Sequence, residues 1–312
     1  VGHRRRPRVA AFGRLRSGPT AGGHRRLLPS PAQWDTMELR KVVRGSPDWD
    51  RIESVVRALA ERHGREQVHV EFLDADNWLS TPLVLDDEYF VKLVTDQNSL
   101  VHALFTATRN LGAFSSGTEG FFGHYGTPYQ MAEHELEATE RLREVGVNAP
   151  EPIDALEIDG LGVLVMEYLP DFAALDDLDE ERERELAPEV FGALRQMHDH
   201  GLAHGDLRAE NVLVVDGEIF VIDATNVRED EGGGATMDAA RSYDLACALA
   251  ALEPLIGAKA AVAAALEHYD ETELLEAREF LDFVSVRPDH TFAAAELKGE
   301  IETRAGEAER GG

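Results

Sequence analysis

The strongest chemical signal is the run His204-Gly205-Asp206-Leu207-Arg208-Ala209-Glu210-Asn211, followed by two short apolar segments, Val212–Val215 and Glu218–Asp223, joined by Asp216-Gly217. Asp-Gly between alternating apolar segments is a two-residue hairpin turn. Counting back from it pairs Val215 with Glu218, Val212 with Val221, and Asn211 with Ile222. Asn211 and Asp223 therefore leave the hairpin at the same end, close enough to share an ion. Asp206 lies five residues upstream, in the loop that enters the hairpin. An Asp, an Asn and an Asp converging without Cys or His suit a hard, oxygen-ligated cation, Mg²⁺ rather than Zn²⁺. The bland alternative is a surface turn with ordinary polar residues.

This arrangement resembles the protein-kinase-like superfamily, whose catalytic loop carries an Asp and, five residues on, an Asn. It is most similar to the RIO-type atypical kinases, with small-molecule phosphotransferases of the aminoglycoside and choline type next. The resemblance implies ATP and Mg²⁺ as cofactors. Asp206 would orient or deprotonate an acceptor hydroxyl, and Asn211 and Asp223 would hold Mg²⁺ on the nucleotide phosphates. Lys92, in the otherwise apolar strand Tyr89–Val94, would grip the α- and β-phosphates. Alternatively it is a lysine that snorkels from an edge strand. A phosphate-gripping lysine needs a carboxylate on a following helix. The ending Gly146-Val147-Asn148-Ala149-Pro150 resembles that of RIO-type kinases, whose pairing Glu stands eleven residues before the Gly, which points to Glu135. Glu133 and Glu137 are its rivals. In Val163–Leu169, which resembles the strand into the inter-lobe hinge, Met166 would border the adenine. The backbone of Glu167 and Leu169 would bond its edge. Asp244 resembles the buried Asp that braces the catalytic loop, or is a helix N-terminal acid. Arg208 stands where typical Ser/Thr kinases place a lysine directed at the γ-phosphate. A guanidinium fork there suits phosphate oxygens, or else pairs with Glu210.

The sequence also departs from the pattern. No Gly-rich loop precedes Lys92; the segment Leu73–Ser80 has no glycine, so its amides are less able to approach phosphates. The metal motif is Asp223-Ala224-Thr225, and no Ala-Pro-Glu separates Asp223 from Asp244, which argues against a phosphorylation-gated activation segment. A long stretch from Thr95 to Gln130 resembles the flexible loop of RIO kinases. The resemblance covers roughly Val68–Leu252.

The elements that must position these residues follow from periodicity. A helix is expected over Asp48–Arg62, with Ile52, Val55, Val56 and Leu59 on one face. A strand follows at Val68–Leu73, then a hairpin of Leu79–Leu85 and Glu88–Val94 around Asp86-Asp87. Val101–Leu111 reads as helical within the long insertion. Met131–Val145 is a helix ended by Gly146, and Gly162–Tyr168 an apolar strand. Helices are then expected at Glu180–His200, Tyr243–Leu252, Ala258–His268 and Thr272–Val284.

Composition limits the rest. Of 312 residues, 31 are basic and 59 acidic, for a net charge of −28, which argues against nucleic acid as a direct ligand. Lysine occurs four times (Lys41, Lys92, Lys259, Lys298), and abundant acids with few lysines match the composition of salt-in halophiles. The apolar runs are too short to span a bilayer. A single cysteine, Cys247, excludes an internal disulfide framework and fits a reducing, cytoplasmic compartment. The first 36 residues carry eight arginines and one acid, Asp35. They read as a disordered basic segment: an RNA-binding arm, a targeting segment or, as the favoured reading, translated sequence ahead of a start at Met37.

The expectation is thus an α+β, bilobal protein-kinase-like fold, with residues 1–36 as the basic segment, 37–166 as a small β-rich lobe and 167–312 as a helical lobe. The expected function is ATP- and Mg²⁺-dependent phosphoryl transfer to a protein Ser or Thr, or to the enzyme itself. The resemblance also implies an ATPase role with a ribosome-assembly partner. A small-molecule kinase and a non-catalytic nucleotide-binding scaffold are the alternatives.

Overall fold

A computed structural model describes residues 47–73, 80–96, 126–229, 235–287 and 290–311. The arginine-rich first 36 residues, the glycine-less segment 74–79 and most of the 95–130 insertion, with its expected helix, lie outside the described residues. The rest divides into two compact units, 47–96 with 126–133 and 153–168, and 134–152 with 169–311.

The first unit is an antiparallel sheet backed by a helix. Helix α1 (Trp49–Arg62) starts at Asp48 and buries Ile52, Val55, Val56 and Leu59, as the spacing predicts. The strands are β1 (Val70–Phe72), β2 (Thr81–Leu85), β3 (Tyr89–Val94), β4 (Pro152–Ile158) and β5 (Leu161–Glu167), in the order β1-β2-β3-β5-β4. Asp86 and Asp87 both take positive φ, the geometry of the tight hairpin turn between β2 and β3. Because strand side chains alternate, Leu83, Leu85, Val91, Leu93, Val163 and Val165 share one face and form a core with α1. Strand β4 escapes the sequence reading. It is an edge strand of partly exposed residues, without the continuous apolar run that marks β5.

The division between the units falls within helix α2 (Pro128–Glu144). Gly146 at its end has φ +86. The second unit continues through β6 (Ala173–Ala174), α3 (Glu180–Asp199), β7 (Leu202–Ala203), β8 (Val212–Val215), β9 (Glu218–Val221) and β10 (Arg228–Glu229). It then becomes wholly helical: α4 (Ala235–Ile256), α5 (Ala258–Ala265), α6 (Glu271–Arg278), α7 (Leu281–Ser285) and α8 (Ala294–Gly311). Helix α4 is the core of this unit. Residues 245–250 are all buried, as a helix apolar on every side requires. The single helix expected over 272–284 is two, separated by a turn at Glu279-Phe280, and Leu274, Leu281 and Val284 are buried on either side of it. Helix α8, unanticipated, buries Leu297 and Ile301, one turn apart. The α+β class is as the sequence predicts, a strand-rich unit and a larger helical one.

Candidate active site

The loop between β7 and β8 carries the run from His204 to Asn211. It begins with a close approach of two backbones. Gly205 has φ +81, and a Cβ there would stand 2.6 Å from the carbonyl oxygen of Asn226. Any side chain would therefore displace the chain as well as strain it. The loop is held from beneath by helix α4. Asp244, fully buried, accepts the backbone N–H of His204 on Oδ2 (2.5 Å) and of Gly205 on Oδ1 (2.7 Å). His198 of α3 lies 3.4 Å from the same Oδ2, and Tyr269 stands 3.0 Å from the other ring nitrogen. The ring of His204 is fixed as well. Its Nδ1 accepts from the Asp206 N–H (3.3 Å), so Nε2 carries the proton and faces the carbonyl of Ile222 (3.2 Å).

The hairpin register is the one counted from Asp216-Gly217. Val212 pairs with Val221 and Val215 with Glu218, while the Ile222 N–H donates to the Asn211 carbonyl (2.9 Å). Asn211 and Asp223 thus flank the open end of β8 and β9. Asn211 is buried and donates Nδ2 to the Asp206 carbonyl (3.0 Å), which leaves its amide oxygen as the group suited to a cation. Asp223 sits in the left-handed region, φ 61, a strained position tolerated better by Asp than by most residues. An amide oxygen and a carboxylate at one hairpin end fit Mg²⁺, which takes hard oxygens and keeps part of its water.

Asp206 is buried, with Oδ1 ion-paired to Arg287. Arg208 lies between the two acids. Its Nε is 3.9 Å from Asp206 Oδ2 and its Nη2 3.8 Å from Asp223 Oδ2, while Nη1 pairs with Glu210. Both readings of Arg208, surface pair and site residue, thus have a geometric counterpart. Burial raises the Glu210 carboxyl above its ordinary range, with Arg208 opposing. Thr225 links Asp223 to α2: its hydroxyl is 2.9 Å from Asp223 Oδ1 and 3.0 Å from Glu135 Oε2. Of the three carboxylates weighed on α2, Glu135 is the buried one, Glu137 is exposed, and Glu133 accepts from the Tyr129 hydroxyl.

In the strand-rich unit, Lys92 is 4% exposed and pairs with Pro82 and Leu164, on the sheet face opposite α1. Val84, Val94 and Met166 lie buried on that same face, so Lys92 stands among apolar neighbours on the sheet. Glu167 ends β5 with its side chain exposed, and the next N–H, of Tyr168, donates to the Glu88 carbonyl (2.9 Å). Leu169 is buried and belongs to the helical unit. The structure therefore gathers Asp206, Arg208, Asn211, Asp223 and Glu135 in one unit and places Lys92 and Glu167 in the other.

Sequence reasoning missed Arg287, Tyr243 as its partner, and Thr225. A lone arginine 81 residues beyond Asp206 carries no local motif. Thr225 enters the sequence reading only as the last residue of the motif Asp223-Ala224-Thr225.

The RIO domain family model matches residues 125–232. Over 93 residues the chain is 30% identical to the KEOPS complex subunit Bud32 of Pyrococcus abyssi, covering 28% of this chain and 41% of that protein. Over 96 residues it is 31% identical to a probable bifunctional tRNA threonylcarbamoyladenosine biosynthesis protein of Thermoplasma acidophilum, covering 30% of this chain and 17% of that one. The chain thus spans less than half the length of these relatives. The solved structure of the PK-1 kinase of Cydia pomonella granulovirus aligns at a TM-score of 0.38 and 15% identity, covering 65% of this chain and 72% of that one. The match over 125–232 bears out the resemblance to RIO-type atypical kinases drawn from the run His204–Asp223.

Proposed function

We propose that this chain binds ATP with Mg²⁺ and transfers or hydrolyses its γ-phosphoryl group, acting as a RIO-like kinase or ATPase in the cytoplasm. The observation that carries the reading is the close grouping, at the mouth of one hairpin, of the buried Asp206 and Asn211 with the partly buried Asp223 and Arg208. Phosphoryl transfer asks a protein mainly for position and charge, and these residues supply both. Asn211 and Asp223 would hold Mg²⁺, which when bound neutralises charge on the phosphate oxygens. Asp206 would direct an acceptor hydroxyl or water, and Arg208 would face charge developing on the phosphoryl group. Lys92 would neutralise the α- and β-phosphates, with Glu135 as its partner. The apolar face around Val84 and Met166 would take the adenine, whose edge would meet the backbone at Glu167 and Leu169.

The relatives' names favour one class of assembly, a complex that modifies tRNA, over the ribosome-assembly partner the family suggests. With a net charge of −28, this chain would join it through protein contacts rather than by gripping RNA.

The test is incubation with γ-labelled ATP at multimolar KCl, following label into protein, small acceptor and inorganic phosphate. Asp206→Asn and Lys92→Met should both abolish turnover, and Lys92→Met should barely change the apo melting temperature. Label in a low-mass product would point to the small-molecule kinases. Tight ATP binding with no turnover in the wild type would leave the scaffold reading instead.

A further inference from the structure

We infer that Arg287 is a positioning residue for phosphoryl transfer: it holds the carboxylate of Asp206 in one rotational state and ties it to helix α4. The inference rests on the reading of Asp206 given above.

Arg287 follows α7 and is 6% exposed. The two ends of its guanidinium have different partners. Nη2 donates to Asp206 Oδ1, and Nη1 donates to the hydroxyl of Tyr243, itself buried on α4, with Cys247 Sγ one turn on at 4.0 Å. A planar fork anchored at one end has no rotation left at the other. With Oδ1 held, the direction of Oδ2 follows, because the carboxylate is rigid about its own plane. That second oxygen would otherwise sample a broad, roughly two-fold torsion.

The anchoring helix matters as much as the pair. Tyr243 and Asp244 are consecutive residues. Asp244 receives the backbone N–H groups of His204 and Gly205, and Tyr243, through Arg287, secures the side chain of Asp206. One turn of α4 therefore fixes three consecutive loop residues, two by backbone and one by carboxylate. A charge-neutralising role alone needs no such arrangement, since a lysine would serve. What lysine lacks is the planar pair of donors.

The experiment compares full-chain Arg287→Lys and Tyr243→Phe with wild type and Asp206→Asn, measuring ATP turnover and apo melting at high KCl. Arg287→Lys keeps the charge and loses the fork. Its kcat should fall about 100-fold, the scale of a small misplacement of a reacting group, with KM for ATP within about threefold because both ends of the Arg287 fork are engaged by Asp206 and Tyr243. Tyr243→Phe removes one hydroxyl, and should lower kcat by roughly three- to tenfold with KM unmoved. It keeps the inference testable if Arg287→Lys does not fold. A folded Arg287→Lys or, failing that, a Tyr243→Phe with wild-type kcat beside an inactive Asp206→Asn would overturn the positioning role. Full turnover by Asp206→Asn would instead sink the functional reading itself.

Discussion

Asp244→Asn should destabilise the helical unit far more than its small size suggests. In the wild type both carboxylate oxygens are occupied: Oδ1 by the Gly205 N–H at 2.7 Å and Oδ2 by the His204 N–H at 2.5 Å. The amide of Asn has one oxygen and one NH₂. In either orientation the NH₂ meets a backbone N–H, so one donor faces a donor in a fully buried place. The loss comprises one hydrogen bond to a charged group and a stranded N–H, together about 2–4 kcal/mol. For a unit of this size that corresponds to a fall in Tm of roughly 5–15 °C. The assay is thermal unfolding of the full chain followed by circular dichroism, at low and at multimolar KCl. The control is Asp199→Asn, the same chemistry on a surface pair with Arg195 at 2.9 Å. Exposed pairs contribute about 0–1 kcal/mol, and salt screens them. The buried loss should persist at high salt and the surface one should vanish. If Asp244→Asn melts no lower than Asp199→Asn, the bracing described for the loop from His204 to Asn211 is wrong. Turnover measured well below Tm should also fall, since Gly205 adjoins Asp206.

Three further outcomes are expected. The thiol of Cys247 is pushed up to about 12 by burial, so native protein at pH 8 should resist iodoacetamide and label on unfolding in guanidinium; rapid native labelling would contradict the packing of α4. His134 is held below its ordinary value of 6.5, chiefly by burial, so on acidification the unfolded chain binds that proton before the folded one. Stability should drop as pH falls below about 6.5, and urea midpoints of His134→Gln should lack this component. Arg208→Ala should lower kcat by roughly 10–1,000-fold with a smaller change in ATP affinity, whereas rates within about twofold of wild type would make the arginine a surface partner of Glu210.

What was legible in the sequence was local. The Asp216-Gly217 turn dictated the register that brings Asn211 and Asp223 to one end, since a two-residue turn leaves no choice of pairing. Lys92 stood out because an apolar strand has little use for a charge, whereas Glu135 was picked from its rivals by the resemblance of the Gly146–Pro150 ending to RIO-type kinases, and it is the buried one of the three. The illegible parts depend on distant chain. Arg287 meets Asp206 across 81 residues, and nothing in Ser285-Val286-Arg287 distinguishes it from the other arginines of an arginine-rich chain. Strand β4 takes its place from its neighbour β5 more than from its own acidic sequence. Helix α4 was read too short because periodicity fades in a helix apolar on all sides.

The distribution of buried charge gives an independent argument for where the chemistry lies. Among the described residues, the buried Asp, Glu, Lys and Arg are Lys92, Glu135, Glu183, Asp206, Asp244, Glu253 and Arg287. Glu183 lies in the first turn of α3, and Glu253 accepts the Ala293 N–H just ahead of α8, so both serve helix N-termini. Of the other five, Lys92, Glu135, Asp206 and Asp244 are groups that the kinase-like reading needs, and Arg287 is the arginine that holds Asp206. Burying an ion costs several kcal/mol even when it is paired, and an apolar replacement of equal volume is often as stable or more so. Packing alone therefore gives no reason to gather Asp206, Asp244 and Arg287 at one loop of the helical unit, or to bury a lysine on an apolar strand face of the other unit. Preorganised charge at a reacting phosphate does give that reason, because dipoles and ions fixed before the reaction need no reorientation during it.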